Sequence, residues 1–535
     1  MTTFDPLQLF ASLVGSAAWP ALRLILHLAF FLAACVILWR AWAQLQPVDA
    51  RPPGGVVGLV SAPMLVLLAV FLAVLIYEAS WQLTGLFRPQ FVTFMQSHDR
   101  REFNPAHRIA RGRILDRRGR VLALSREVEG QVYRVYPFGP AFAHTVGYSD
   151  PQFGAIGAEA AANAQLNGAT PQTLASWSEL GRQLLTKDQR PRGQDLTLTL
   201  DSELQLLALE RLGDRAGAAV LMRTRDGALL VLATNPAFDP NQLEPDLFRT
   251  RAPGTPLLNR ATQGLYPPGS VFKVVMAAEA LEAGFTGTLN CPAEGYTTSQ
   301  HYPPIRDHDF YSARKAGRAW SGFGALDLPT AFAESSNVFF AQLGVRYGHD
   351  AFARTGERFL FDRQVRLYPG TDRYGSLSTG RLPRLAQSDL YGLAQASIGQ
   401  GRVLASPAHL ATIAAAVANR GLAMRPRLLA QEPPAPLGQY MSPQTAARLA
   451  GMMRKVVTEG TGRGINGADL AIAGKTGTAE NPGGTAHSWF IGFAPAADPT
   501  LAVAVLVEHG GFGASVAAPI ARDLLVKALE LGVGP

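Results

Sequence analysis

Three short polar clusters constrain how this 535-residue chain can fold. In chain order they are Ser-Val-Phe-Lys at 270–273, Ser-Ser-Asn at 335–337 and Lys-Thr-Gly-Thr at 475–478. Together they supply a serine hydroxyl with a nearby amine, a second hydroxyl with an amide, and a basic residue beside a glycine. Acyl transfer through a serine ester requires these groups. The combination, which needs three distant segments to meet, predicts a serine acyltransferase.

The first cluster contains a candidate nucleophile and its base. Tyr-Pro-Pro-Gly at 266–269 precedes Ser270 and an apolar run, which predicts that Ser270 lies at a helix start. Residues three apart share a helix face, so the Lys273 amine should approach the Ser270 hydroxyl. Apolar neighbours at 274–276 favour a partly buried amine whose pKa falls towards neutrality. An isolated Ser-x-x-Lys is more often a capping serine with a surface lysine.

The second cluster lies inside a predicted helix at 328–343. Ser335 is a candidate to pass a proton towards a leaving amine. Asn337 is a candidate to bind either a substrate amide or the Lys273 amine. Ser336, between them, should point elsewhere. The alternative is a polar cluster at a helix end with no chemical role.

The third cluster contains Gly-Lys-Thr, which also ends the phosphate-binding loop of many nucleotide hydrolases. That motif needs a glycine where this chain has Asp469, and a helix where Asn-Pro-Gly-Gly at 481–484 breaks the chain. Residues 470–479 are instead predicted to form an edge strand.

On such a strand, each residue of the cluster has a predicted contribution. Lys475 would supply positive potential, and the Thr476 and Thr478 hydroxyls would bind a carboxylate. Gly477 would leave room for a substrate backbone along the strand.

Two apolar runs at 22–42 and 56–77 predict two membrane helices, because about 20 residues cross a bilayer. Two buried core helices are the alternative. Arg40 and Arg51 stand against Asp49 in the intervening loop, which predicts a cytoplasmic loop. Residues 1–20, and everything after 78, would then lie outside the cytoplasmic membrane.

The rest of the chain predicts an α+β fold, with a mixed α/β fold as the alternative. A small β-rich domain is expected at 79–192, and Arg-Pro-Arg-Gly at 190–193 marks the start of a larger domain at 193–535. Paired strands at 218–222 and 228–233 and closely joined strands at 489–494 and 501–507 indicate an antiparallel sheet. Further predicted helices lie at 271–282, 407–419 and 443–458.

Charge and cysteine content limit the possible partners. The formal net charge of +8 suits a protein beside anionic lipids or an anionic polymer. The basic residues are scattered without interleaved aromatics, so no nucleic-acid partner is expected. Cys35 and Cys291 are the only cysteines, too few for a disulfide framework.

With the three clusters in place, the chain resembles the penicillin-binding proteins, most closely the monofunctional class B D,D-transpeptidases of peptidoglycan synthesis. The resemblance covers about two thirds of the chain, from residue 111 to the end. Besides the clusters, it is carried by segments 111–123, 193–205, 217–233, 235–241, 258–261 and 397–401.

The resemblance implies a serine β-lactamase/transpeptidase-like domain that cross-links stem peptides ending in D-Ala-D-Ala and is a target of β-lactams. It implies no cofactor or metal, and it implies a polytopic lipid II glycan polymerase as partner. The resemblance assigns Ser270 as nucleophile and Lys273 as general base, and it has Ser335 and Asn337 complete the proton relay and bind substrate. Lys475, Thr476 and Thr478 would line the carboxylate side, and Gly477 would belong to the substrate-binding strand. The backbone N–H groups of Ser270 and Thr478 would form the oxyanion hole.

Other functions stay open at this level. A D,D-carboxypeptidase or β-lactamase would use the same residues with water as acceptor. A membrane β-lactam sensor would need a cytoplasmic His-Glu-x-x-His protease, a pattern that this chain lacks. A bifunctional enzyme would need a glycosyltransferase domain, for which 79–192 is too short. Class B members usually have one membrane helix and a longer extracytoplasmic domain ahead of the catalytic domain, called the pedestal. This chain has two predicted membrane helices, and its pedestal at 79–192 is short.

Overall fold

The computed structural model describes residues 36, 40, 70–77, 110–128, 131–168, 193–248, 254–368, 371–467, 470–481 and 483–533. From residue 110 onward, the described residues belong to one compact unit. Residues 1–20 and 79–109, and most of the two predicted spans, lie outside the described residues. Where the chain is described, no helix combines the length and the apolar sequence that crossing a bilayer requires. The two spans stay a prediction.

Strands and helices alternate irregularly along this unit. The strands are β1 (Ile114–Leu115), β2 (Val121–Val128), β3 (Gln131–Val135), β4 (Ser149–Asp150), β5 (Gly154–Ala155), β6 (Leu196–Thr197), β7 (Gly217–Arg223), β8 (Leu229–Asn235), β9 (Thr288–Pro292), β10 (Gly322–Asp327), β11 (Gln364–Tyr368), β12 (Thr371–Ser378), β13 (Leu422–Met424), β14 (Pro436–Gln439), β15 (Ala473–Asn481), β16 (Gly484–Ala494) and β17 (Leu501–Val507). The helices are α1 (Gly157–Ala161), α2 (Asn163–Leu166), α3 (Ser202–Leu212), α4 (Lys273–Glu282), α5 (His308–Lys315), α6 (Leu328–Ala333), α7 (Asn337–Arg358), α8 (Leu390–Ser397), α9 (Pro407–Ala418), α10 (Pro443–Thr458) and α11 (Ala517–Glu530).

The central element is a five-stranded antiparallel sheet in the order β15-β16-β17-β7-β8. β15 is therefore an edge strand, as the sequence predicted. All seven residues of β17 are buried, because both faces of the sheet are covered. Ala504 faces the core that contains α9, whereas Val503 and Val505 face a second core built with α3 and α11. The predicted α+β fold with an antiparallel sheet is confirmed.

A smaller sheet, in the order β3-β2-β1-β6, precedes the central one. The predicted strands around an Arg-Gly turn are β1 and β2, and Gly119 in that turn has a φ of +80°. β6 pairs in parallel with β1, which joins residues 196–197 to the amino-terminal strands. Asp201 caps α3 and also accepts a hydrogen bond from Arg118 Nε at 2.8 Å.

The helix predicted at 328–343 is interrupted. α6 ends at Ala333 and α7 begins at Asn337. Ser335, in the break, has a φ of +61°, a left-handed conformation incompatible with a continuous helix. The prediction of one continuous helix was wrong. The apolar periodicity of the sequence continues across the break, but the helical backbone conformation does not.

Two largely buried arginines share one carboxylate in the amino-terminal part. Arg111 Nη2 and Arg134 Nε donate to the two Glu159 oxygens at 2.8 and 2.6 Å, and the Glu159 side chain is fully buried. Replacing the carboxylate would leave two largely buried guanidinium groups without their counter-ion.

We expect Glu159→Gln to lower the free energy of unfolding by about 3–5 kcal/mol, the cost typical of breaking a buried ion pair. The matched control is Asp195→Asn, which removes an exposed pair with Arg113 and should cost only about 0.2–1 kcal/mol. Denaturant unfolding of the two purified variants would measure both values. Equal costs would contradict the structural role given to Glu159.

Candidate active site

The candidate nucleophile lies in a tight turn beside the edge strand. Residues Gly269–Phe272 form a 3-10 turn that leads into α4 at Lys273, so the predicted position of Ser270 at a helix start is confirmed. Gly269 has a φ of +55°, and a Cβ there would lie 2.7 Å from the Thr478 carbonyl oxygen. Its N–H donates to the Gly399 carbonyl at 2.9 Å. Only glycine permits this close approach of turn and strand.

The Lys273 amine is at the centre of the site. Its side chain is fully buried, and Nζ lies 3.1 Å from Ser270 Oγ. The same nitrogen donates to the Ser335 carbonyl oxygen at 2.6 Å and to Asn337 Oδ1 at 2.8 Å. Two segments that are distant in the sequence, 270–273 and 335–337, therefore meet at one nitrogen atom.

Burial lowers the pKa of Lys273 from its ordinary value of 10.5 to about 7, while the nearby Asp307 carboxylate opposes this shift. At neutral pH a large fraction of the amine is therefore uncharged. An uncharged amine can accept a proton from a serine hydroxyl, which a permanently charged lysine cannot.

Ser335 joins the two lysines. Its Oγ lies 3.3 Å from Lys273 Nζ and 2.8 Å from Lys475 Nζ. The left-handed backbone at this residue separates α6 from α7 and turns Ser335 towards the site, although it costs energy in a non-glycine residue. A continuous hydrogen-bonded series results, from Ser270 through Lys273 and Ser335 to Lys475.

Asp307, which the sequence analysis missed, holds the start of α7. It is buried, and its Oδ1 accepts hydrogen bonds from the backbone N–H groups of Asn337 and Val338. Its Oδ2 accepts one from Ser336 Oγ at 3.1 Å, so Ser336 points away from the site as predicted. Burial raises the pKa of Asp307. An acidic residue 30 positions away in sequence gives no local signal for this role.

The orientation of the Asn337 amide follows from its two partners. Nδ2 donates to the Arg306 carbonyl at 3.0 Å, which turns Oδ1 towards Lys273. The sequence left two partners open for Asn337, a substrate amide or the Lys273 amine. In the structure Asn337 contacts the Lys273 amine.

Lys475 approaches from the opposite side, on β15. The side chain is fully buried, and Nζ donates to Ser335 Oγ and to the Thr476 carbonyl at 3.1 Å. Burial and the positive charge of Lys273 lower its pKa well below the ordinary value of 10.5. A bound carboxylate beside it would favour the charged form.

The remaining residues of the third cluster differ in their surroundings. Thr476 Oγ1 lies 2.6 Å from Thr461 Oγ1, and Thr478 Oγ1 accepts a hydrogen bond from the Gly513 N–H at 3.4 Å. A Cβ on Gly477 would lie 2.9 Å from Val271 Cγ1. The small size of Gly477 is thus required by packing against the nucleophile turn, a contact that the sequence did not reveal.

The structure brings Ser270, Lys273, Ser335, Asn337 and Lys475 into direct contact. Thr478 lies on the edge strand next to Gly269, which places its backbone beside the turn that carries the nucleophile. This convergence of a serine, two buried amines and a polar relay is a site suited to acyl transfer.

Comparison with known proteins agrees with this geometry. A family described as the penicillin binding protein transpeptidase domain matches residues 217–526, and the penicillin binding protein A dimerisation domain matches residues 111–195. The peptidoglycan D,D-transpeptidase PbpA of Mycolicibacterium smegmatis is 33% identical over 454 residues, covering 77% of this chain and 88% of that protein.

Solved structures are similar over the same part of the chain. Penicillin-binding protein A from Mycobacterium tuberculosis, as a ceftriaxone acyl-enzyme complex, has a TM-score of 0.69 and 29% identity, covering 79% of this chain and 99% of that one. Pseudomonas aeruginosa PBP2 in complex with WCK 5153 has a TM-score of 0.64 and 29% identity, covering 79% and 96%.

The fold and the site define a serine acyl-transfer enzyme of the transpeptidase type. The chain belongs to the penicillin-binding proteins, and the class B resemblance found in the sequence is confirmed.

We expect the rate of acylation by a fluorescent penicillin to rise with pH and to reach half its maximum near pH 7. The reason is that the uncharged form of Lys273, whose pKa is lowered to about 7, predominates only above that pH. Below the midpoint the rate should fall about tenfold per pH unit. Stopped-flow or quenched labelling of the purified protein between pH 5 and 9 would measure the profile.

Asp307→Asn is the matched variant, since an amide oxygen still accepts from the α7 backbone while the charge is lost. Because the Asp307 carboxylate raises the pKa of Lys273, this variant should move the midpoint to lower pH. An unchanged midpoint would show that another group controls the profile.

Proposed function

We propose that this protein is a peptidoglycan D,D-transpeptidase that cross-links stem peptides through an ester on Ser270. The single observation that carries the proposal is the Lys273 amine, buried and shared by Ser270, Ser335 and Asn337. The similarity to proteins named peptidoglycan D,D-transpeptidase supports the choice of substrate.

The hydrogen bonds of Lys273 favour a role as general base. The Ser335 carbonyl and Asn337 Oδ1 are acceptors, so an uncharged amine donates its two hydrogens to them. Its lone pair is then left for the Ser270 hydroxyl, 3.1 Å away. The two carbonyl groups thus orient the amine as well as bind it.

In the acylation step, Ser270 Oγ attacks the carbonyl carbon of the penultimate D-Ala while its proton passes to Lys273. The backbone N–H groups of Ser270 and Thr478 would hold the oxyanion. The peptide C–N bond then breaks, and the leaving nitrogen takes a proton delivered through Ser335. Terminal D-Ala departs, and an ester remains on Ser270.

In the second step, an amine from a neighbouring stem peptide attacks the ester carbonyl. Its proton is taken up through the same relay, and Ser270 recovers its hydroxyl hydrogen as the ester bond breaks. The product contains a new peptide bond between two stem peptides. The energy of the cleaved D-Ala-D-Ala bond is thereby retained, so no other energy source is needed.

The carboxylate of terminal D-Ala would lie on the β15 side. Lys475 would contribute charge, and Thr476 and Thr478 would contribute hydroxyl groups. The substrate backbone would lie along the free edge of β15, which is an edge strand of the central sheet. β-Lactams, which imitate D-Ala-D-Ala, would acylate Ser270 in the same orientation.

The protein would be anchored in the cytoplasmic membrane by two spans at 22–42 and 56–77, with residues 1–20 and the catalytic domain outside. The arginine content of the loop supports this orientation. A domain boundary near residue 193 would separate the pedestal from the transpeptidase domain. A polytopic lipid II glycan polymerase would be the partner, in contact with the spans and the pedestal.

We expect Ser270→Ala to abolish labelling by a fluorescent penicillin, because no other group can form the ester. Ser312→Ala is the matched control, since Ser312 is exposed on α5 and its hydroxyl forms a hydrogen bond with His308 Nε2, away from the site. Its labelling should equal that of the unaltered protein. Labelling of the Ser270→Ala variant at the control level would mean that the nucleophile is misassigned.

With polymerised glycan carrying pentapeptide stems, we expect more cross-linked dimer than trimmed tetrapeptide. The reason is that a transpeptidase directs an amine, rather than water, to the ester. Digestion with a muramidase and chromatography of the fragments would measure the ratio. A preponderance of trimmed tetrapeptide would identify a D,D-carboxypeptidase instead.

A further inference from the structure

A cavity of about 490 Å³ lies apart from the candidate active site. The second half of α7, the turn at 361–363 and the segment 382–387 form its walls. None of the predicted site residues lines it. Its volume lies within the range of about 300–1,000 Å³ that is typical of small-molecule sites.

The apolar wall of this cavity reaches the nucleophile turn. Phe352 and Phe361 line the cavity, and their rings lie 6.0 and 5.8 Å from the ring of Phe272. Phe272 stands between Ser270 and Lys273 in sequence and is buried. Packed side chains of this kind transmit small displacements, because protein interiors are close-packed.

The polar wall carries charges of both signs. Arg363 and Arg384 line the cavity together with Glu357 and Asp362. Among the described residues, these four side chains form no ion pair within 4.0 Å; Asp362 Oδ2 accepts only the backbone N–H of Leu382, at 3.3 Å. All four residues are exposed to solvent. Guanidinium and carboxylate groups placed around one concave surface suit a ligand that carries both a carboxylate and an ammonium group.

We propose that this cavity is a second binding site for a short zwitterionic peptide of the stem-peptide class, and that its occupancy changes the acylation rate of Ser270 through Phe272. The ligand class rests on the proposed function, since an enzyme working on a polymer of stem peptides meets them at high local concentration. The ligand carboxylates would contact Arg363 and Arg384. Its ammonium groups would contact Glu357 and Asp362.

The test titrates the peptide L-Ala-γ-D-Glu-L-Lys-D-Ala into the full-length protein in detergent, after penicillin G has blocked Ser270. Calorimetry should show saturable binding, weakened at least tenfold by Arg384→Ala. Arg354→Ala is the control, because Arg354 lies on α7 but outside the cavity lining, and it should leave binding unchanged. The same peptide with both amines acetylated should bind at least tenfold more weakly.

A second measurement follows acylation of the unblocked protein by fluorescent penicillin. Saturating peptide should change the rate at least twofold in the unaltered protein and in Arg354→Ala, and not in Arg384→Ala. The proposed binding site would be wrong if the blocked protein showed no saturable peptide binding. It would also be wrong if Arg384→Ala and Arg354→Ala weakened peptide binding equally. An unchanged rate at saturation would overturn the coupling.

Failure of the proposed function would be visible separately. It would appear as absent penicillin labelling, which is recorded before the titration and does not depend on Arg384.

Discussion

The burial of the Lys273 amine is the constraint on which the rest of the site depends. An amine removed from water keeps a low pKa only if its surroundings exclude solvent, and it stays oriented only if fixed acceptors bind its hydrogens. Those acceptors are the Ser335 carbonyl and Asn337 Oδ1. The break between α6 and α7 places both acceptors beside the amine, and Asp307 holds the start of α7 by accepting hydrogen bonds from its first backbone N–H groups.

Close packing between the nucleophile turn and the edge strand gives the site its precision. Gly269 and Gly477 each lie where a side chain would collide with the other segment. The two glycines therefore set the distance between Ser270 and β15, and β15 in turn carries Lys475 to Ser335. The sequence predicted that Gly477 leaves room for a substrate. In the structure, packing against the nucleophile turn requires its small size.

The central sheet makes this arrangement rigid. Its two cores bury both faces of β17, and β16 pairs with β17 on one side and with the edge strand β15 on the other. β15 nevertheless keeps one free edge within the described part of the sheet. Site residues supported by packed helices and strands are positioned more precisely than those on loops.

Strand alternation and the proline and glycine signals predicted the antiparallel sheet, the edge strand and the helix start at Ser270, because such signals act over a few neighbouring residues. The sequence also assigned the class of enzyme through three ordered clusters. The spans and domain limits stay predictions. The break at Ser335, the role of Asp307 and the packing of Gly477 are visible only in the folded chain. These features arise from contacts between segments far apart in sequence, and local sequence patterns cannot predict such contacts.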